Sequence, residues 1–453
     1  MRQRVAQLTA AEVTAMAPDA AAAAAGRKLG KAAPWRGLGK SGRAYFGECL
    51  GSALYQTQIA TLDLATKCTC PSRKFPCKHA LGLLYLVADA NDAFQAVPDG
   101  GEPEWVIGWL EKREAAEQRK QTKANAEEKP VDRAAQEKRA ERRHDNVMAG
   151  IEQLDVWLFD RVRSGIGRLV NEPPSLFEDQ ARRLVDAQAP GLASRVHSLA
   201  ARVGVGETAS ERVLGELGTL ALLTHAYRRL DALPEGLRHD VRRLVGFTFT
   251  SSDVIAHGDF VVDEWVVVSS TLIDEGHFRL QRSHLSGVES ARTALLLQGA
   301  GSAAHFDDLL VPGTAFRARL AFYPSARPER ALIAERLGAT VAGRSPPHVT
   351  TIGGALDAFS LALASDPWLR RLLFVLEARI ARRRERGGDG RVYAVDSERN
   401  ALPLRGREHD VLLAVSGGRP LVLAGQWNGH ELEPLVAYAD GRAVSLTGDE
   451  AAA

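Results

Sequence analysis

Cysteine is scarce in this chain: there are four in 453 residues. That is too few for a disulfide framework, and the four are confined to Cys49–Cys77 rather than scattered. Long apolar runs are missing as well. No stretch approaches the ~18–20 residues that a membrane helix requires. The start, MRQRVAQLTAAEV, is basic but has no apolar segment before polar residues return, and Ala20–Ala25 is short and weakly apolar. Neither reads as a secretory signal, so the expected compartment is a reducing cytoplasm. No repeat at a solenoid period is present. No H-E-x-x-H, G-x-S-x-G, Walker A or Rossmann pattern holds His277, His284, His305 and His348 together. The expectation is therefore a protein that is not an enzyme. An excess of one charge is lacking too: the net charge is +2, so charge must be read locally. What remains is 45% hydrophobic and 25% charged, ordinary for a globular protein. The length suggests about three domains.

The most informative stretch is Lys67–Val87, KCTCPSRKFPCKHALGLLYLV. Cys68, Cys70, Cys77 and His79 form a C-x-C-x6-C-x-H array. Three thiols and one imidazole make a ligand set for a closed tetrahedral Zn2+ site, since thiolate and imidazole suit zinc better than calcium or magnesium. In an extended segment, positions i and i+2 point the same way, so C-x-C offers both sulfurs to one ion. Pro71–Pro76 is long enough to reverse the chain, and a helix beginning near Cys77 carries an Ala80, Leu83, Leu84, Val87 stripe. Four protein ligands leave no open position, so the zinc reads as structural. Cys49 is left over, either as a buried thiol under the finger or as an exchangeable ligand.

In chain order, Thr9 and Glu12 form a capping-box pattern before a short helix. Arg27–Arg43 holds six basic residues, Arg36 and Lys40 among them, no acid, and Trp35. This is either a nucleic-acid footprint or a solvated surface. Within it, Gly37–Ser41 mimics the tail of a phosphate loop. Pro34 occupies the first glycine position and an apparent strand follows, so a Walker A is rejected. Tyr45–Leu50 and Tyr55–Leu64 read as a hairpin. Asp89–Gly101 reads as a boundary. Glu111–Asp145 interleaves acids and bases with almost no large apolar residue, as in a solvated helix or a disordered linker. Met148–Arg243 reads as helical, with a second capping box at Ser175 and Glu178. From Gly246 the period switches to strands, with Phe247–Thr250, Phe260–Ser270, His277–Gln281 and Ala315–Tyr323 among them. Leu356–Leu363 and Pro367–Ile380 then read as helices, and Arg391–Val395, Asp410–Val415, Pro420–Gln426 and Glu433–Ala437 as a second sheet.

The fold class is thus α+β multidomain: an N-terminal zinc-clamped hairpin and helix, a central helical bundle and a C-terminal mixed α+β domain. The expected segments are 1–95, 96–146 (linker), 147–243, 244–445 and a tail, 446–453.

The array Cys68-x-Cys70-x6-Cys77-x-His79, with Cys49-Leu-Gly-Ser52 before it, resembles the SWIM-type zinc finger of bacterial proteins. Ala181–Ala193 and Ser416–Gln426 are similar to those proteins as well. The resemblance implies a β-β-α zinc-binding interaction module that contacts DNA or protein. It also implies a place in a multi-protein assembly, with an AAA+ ATPase or a von Willebrand A-domain protein as partner. Two functions compete. One is an adaptor that binds protein. The other is low-specificity binding of DNA or RNA through Lys67, Arg73, Lys74, Lys78, Arg36 and Lys40, where phosphate contacts would dominate.

Overall fold

The computed structural model describes residues 8–17, 20–51, 53–72, 76–89, 92–125, 133–169, 171–200, 209–274, 278–301, 310–383, 390–406 and 409–446. The N-terminal unit begins with helices α1 (Ala10–Ala15) and α2 (Ala20–Leu29). Thr9 caps α1 in the expected box: its backbone N–H donates to Glu12 at 2.7 Å, and Glu12 N–H donates to its hydroxyl at 3.3 Å. Strands β1 (Trp35–Lys40), β2 (Ala44–Leu50), β3 (Leu54–Ala60) and β4 (Thr66–Cys68) follow, then α3 (Lys78–Ala88), β5 (Gln95–Ala96) and α4 (Glu104–Asn125). The sheet order is β4-β3-β2-β1-β5. One face, with Trp35, Cys49 and Ile59, packs on α3 through Leu81, Leu84 and Tyr85. The other, with Ala44, Phe46 and Ala60, packs on Val106, Trp109 and Leu110 of α4. The packing of this unit therefore continues past residue 95.

Three local expectations change here. The stretch read as a phosphate-loop mimic is the unexpected strand β1, bulged where Gly37 takes φ +58°. Strand β3 stops at Ala60 rather than running to Leu64, because Asp63 accepts a hydrogen bond from Ala65 N–H (3.1 Å) and turns the chain. The interleaved-charge stretch is helical on both sides of residues 126–132, which lie outside the described residues.

The bundle comprises α5 (Arg133–Ser164), α6 (Ile166–Leu169), α7 (Pro174–Asp186), α8 (Pro190–Ala200), α9 (Ala209–Arg228) and α10 (Glu235–Val245). Its core gathers Ile151, Leu154, Leu158, Phe177, Leu192, Leu217 and Leu220. Ser175 does not cap α7. The helix starts one residue earlier, at Pro174, where the fixed φ and missing N–H of proline suit a first turn.

Phe247–Thr250, expected as a strand, has no regular secondary structure and leads into α11 (Ser251–His257). Thr250 and Asp253 cap α11 reciprocally, which breaks the apparent alternation. Strands β6 (Asp259–Asp274), β7 (Phe278–Gly287), β8 (Thr293–Gly301), β9 (Ala315–Phe322) and β10 (Arg330–Arg336) close into a barrel. β6, β7 and β8 form an antiparallel meander, β8 pairs parallel with β10, and β9 pairs antiparallel with both β10 and β6. Trp265, Val267, Leu285, Leu296, Phe316 and Phe322 fill it.

The last unit contains α12 (Ile352–Ser365), β11 (Leu372–Arg382), β12 (Val392–Val395), β13 (Ala401–Pro403), α13 (His409–Ser416), β14 (Leu421–Trp427), β15 (Leu432–Ala439) and β16 (Arg442–Ser445). Two expectations are corrected. Pro367–Ile380 is not a helix: its core residues form β11. Leu372 and Leu376 are four apart, a spacing shared by one helix face and one strand face, and burial alternates along β11 as a strand requires. Asp410–Val415 is not a strand but lies in α13, where Leu412 and Ser416 are buried one turn apart. The six-stranded sheet runs β13-β12-β11-β14-β15-β16. One face holds α12 and α13, and the other meets the barrel at Val268, where the Tyr438 hydroxyl donates to Val268 O at 2.7 Å. The end of the chain, 447–453, lies outside the described residues.

Candidate metal centre

Cys68 ends β4, held opposite Thr57 of β3. Cys70 follows two residues later. Cys77 is the N-cap of α3, its sulfur accepting a hydrogen bond from Ala80 N–H at 3.4 Å. His79 lies in the first turn of the same helix. The four ligand atoms fall within 4.8 Å of one another, and Cys68 Sγ is 3.7 Å from His79 Nδ1. The edges of a tetrahedron with Zn–S and Zn–N bonds of ordinary length are about 3.5–3.8 Å, so the donor set fits zinc in both spacing and chemistry. Metal-site geometry is thus supplied by one strand end, one turn and one helix start.

The electrostatics agree. Hydrogen bonds from Cys68 and then Cys77 lower the pKa of Cys70, so Cys70 ionises readily. The neighbouring sulfurs raise that of Cys77. Burial disfavours a charged His79, but contacts with Cys68 and Cys70 outweigh it and raise the ring to about 9. A bound Zn2+ displaces these protons, because the ligands must be thiolate and neutral imidazole. The positive end of α3 favours the resulting thiolates. Three thiolates on one Zn2+ leave a charge of −1.

Two residues that the sequence alone did not single out support the ligands. The Tyr55 ring stacks on the His79 ring, centroids 4.7 Å apart. The Thr57 hydroxyl donates to Cys68 Sγ at 3.3 Å. The period-2 pattern of β3 carried the signal: Tyr55 and Thr57 share a face with Cys49 and Cys68.

Cys49 is buried in the core behind the finger and is not in the group of four. Burial pushes its thiol pKa up, and nearby Cys68 adds to the shift. Among the contact candidates, Arg36, Lys40 and Lys78 are exposed and Lys67 is half-buried. Arg73 and Lys74 lie outside the described residues. The wider basic run is partly engaged within the chain. Arg27 lies over the Tyr85 ring, and Arg43 pairs with Glu102 and Glu114. In the C-terminal half, His284 and His348 have separate partners: His284 faces Ser269 and Gln426, while His348 faces Gly287 O. His277 and His305 lie outside the described residues.

Residues 59–88 match the SWIM zinc finger. The match begins at Ile59 in β3 and spans all four ligands and α3, so the zinc of this finger is structural. A second match, residues 142–245, is to the SWIM-associated four-helix bundle domain, and it runs from within α5 to the end of α10. No curated protein and no solved structure matches the chain. Among the described residues, no helix is long and apolar enough to cross a membrane.

Proposed function

We propose that this chain is a non-catalytic adaptor whose SWIM finger docks a protein partner through the tip of its hairpin. The observation that carries this is the pair Leu50 and Leu54. They are directly opposite each other in β2 and β3, yet 53% and 44% exposed. Leu62, in the turn after β3, is 58% exposed. The adjacent cross-strand pair is Cys49 and Tyr55, and Tyr55 stacks on a zinc ligand. An apolar tip is therefore mounted one residue pair away from a rigid metal clamp. Burying such side chains against a partner gains about 25 cal/mol per Å² of apolar surface, which a phosphate backbone does not supply. The engagement of Arg27 and Arg43 within the chain also favours a protein ligand over nucleic acid at the finger. An AAA+ ATPase or a von Willebrand A-domain protein is the partner class the SWIM resemblance suggests. The protein is read as non-catalytic because four protein donors complete the zinc.

The test compares wild type with Leu50→Asp/Leu54→Asp in affinity capture from the native cell, followed by binding of the recovered protein in purified form. The variant should keep one zinc and lose the partner. Equal binding by the variant, or binding that survives deletion of the finger, would sink the proposal.

A further inference from the structure

The strand connectivity of the barrel is specific. A three-strand meander, a parallel pairing of the third strand with the fifth, and closure of the fourth against the first make the five-stranded Greek-key barrel of the OB type. In that barrel, the outer face of the second and third strands takes oligonucleotides or oligosaccharides. Here those strands are β7 and β8. Topology alone assigns no ligand; the residues on that face do.

Ser283 and Leu296 point into the barrel, which turns their neighbours Leu280, Arg282, His284, Leu295 and Leu297 outward; all five are half-buried. Arg282 Nε has no hydrogen-bond partner among the described residues. Beside Arg282 lies Arg371 of the C-terminal sheet, close enough to oppose its charge. One carboxylate, Glu433, pairs with Arg371 at 2.6 Å and lies near enough to attract the Arg282 charge. The Arg371 Nη1 also donates to Gln426, which contacts His284. A half-buried guanidinium with an idle donor and an exposed one paired to an acid thus lie together at the ligand face of the barrel. A neutral sugar has no use for that charge excess, whereas a phosphodiester does.

We propose that the β7–β8 face, with Arg282 and Arg371, binds the phosphate backbone of single-stranded nucleic acid, and that Glu433 holds the place a phosphate takes. This goes beyond the adaptor reading and uses a different surface. The outward residues of β7 and β8 named above include no Phe, Tyr or Trp, so base stacking contributes little and sequence preference is weak. Affinity should fall steeply with salt.

The experiment is fluorescence anisotropy of the full zinc-loaded chain with a labelled oligothymidylate and with a duplex of the same length, at low and moderate salt. Wild type should bind the single strand and prefer it to the duplex. Arg371→Gln should weaken binding about tenfold and reduce the salt slope by about 0.7. Glu433→Gln should tighten binding by about threefold, a gain that mere damage to the fold cannot produce. Lys67→Gln/Lys78→Gln, in the finger, should leave binding unchanged. The proposal is overturned by no binding at low salt, by equal affinity for duplex, by loss confined to the finger variant, or by a Glu433→Gln affinity at or below wild type. None of these outcomes depends on the Leu50 and Leu54 surface.

Discussion

The N-terminal sheet and the C-terminal sheet face the same task, holding antiparallel strands against helices, and they solve it differently. The C-terminal sheet has six strands, and its central strand β11 spans eleven residues. Phe374 stacks on Trp427 across β11 and β14, and α12 and α13 cover one whole face. The N-terminal sheet has edge strands of only three and two residues, β4 and β5. Strand β4 leads directly into the zinc ligands. Where strands are too short to hold themselves by pairing, a metal ties strand to helix. The stability of the first region is consequently coupled to metal, while that of the second rests on apolar burial.

The largest expected effect separates the two regions completely. Structural zinc contributes about 10–16 kcal/mol of apparent binding free energy coupled to folding. Chelation of zinc, or Cys70→Ser, should abolish amide protection in Tyr45–Val87 and leave that of Leu372–Arg382 in place, as read by hydrogen exchange. Unchanged protection of the hairpin after full zinc removal would defeat the comparison. The reverse cut is Leu376→Ala, at a fully buried position of β11. It should cost about 2–5 kcal/mol in thermal or denaturant unfolding of the C-terminal unit. Zinc content and chelator resistance should not change, and a parallel loss of zinc would merge the two regions.

A smaller effect sharpens the boundary of the metal-coupled region. Arg43, just before β2, clasps Glu102, just before α4, with a bond of 3.1 Å. Burial alone would raise the Glu102 pKa. Hydrogen bonds from Arg43, then Ser41 and the backbone, outweigh it and hold the group down at about 2 against an ordinary 4.5. A depressed carboxylate stabilises the fold fully above its unfolded value. This contribution should therefore be complete above pH 4.5 and fade as the pH falls toward 2. Glu102→Gln should cost about 1–3 kcal/mol at neutral pH and flatten that acid dependence. An acid profile identical to wild type would remove Glu102 from the account. The smallest effect lies at the support of the ligands: Thr57→Val and Tyr55→Ala should each lower zinc affinity by about tenfold or somewhat more without changing stoichiometry. Competition with a chromogenic chelator reads this, and affinities equal to wild type would leave the ligands self-sufficient.

Legibility followed the range of the interactions. The zinc ligands were readable because twelve residues contain the whole array, and C-x-C spacing has one geometric meaning. The capping box at Thr9 was readable for the same reason. Strand β11 was not, because Leu372 and Leu376 satisfy helix and strand equally, and the decision came from pairing with β14 some fifty residues later. Likewise β1 is a strand because β2 lies beside it, and its own Gly37-Leu-Gly sequence argues for a loop. The barrel closure depends on a parallel pairing of β8 with β10 that leaves no local trace. The exposed pair at Leu50 and Leu54 was equally hidden, since a leucine in a strand ordinarily signals core.

Trp368 lies in the short link between α12 and β11, yet its ring belongs to the bundle core, and its Nε1–H donates to Thr219 O of α9 at 3.3 Å. The bundle therefore borrows a core side chain from a segment more than a hundred residues beyond its own last helix. A fragment ending at Val245 would carry a hole the size of an indole at the side of α9. The unit that sequence comparison delimits is shorter than the unit that folds, and engineering of the bundle in isolation has to refill that space with a residue of its own.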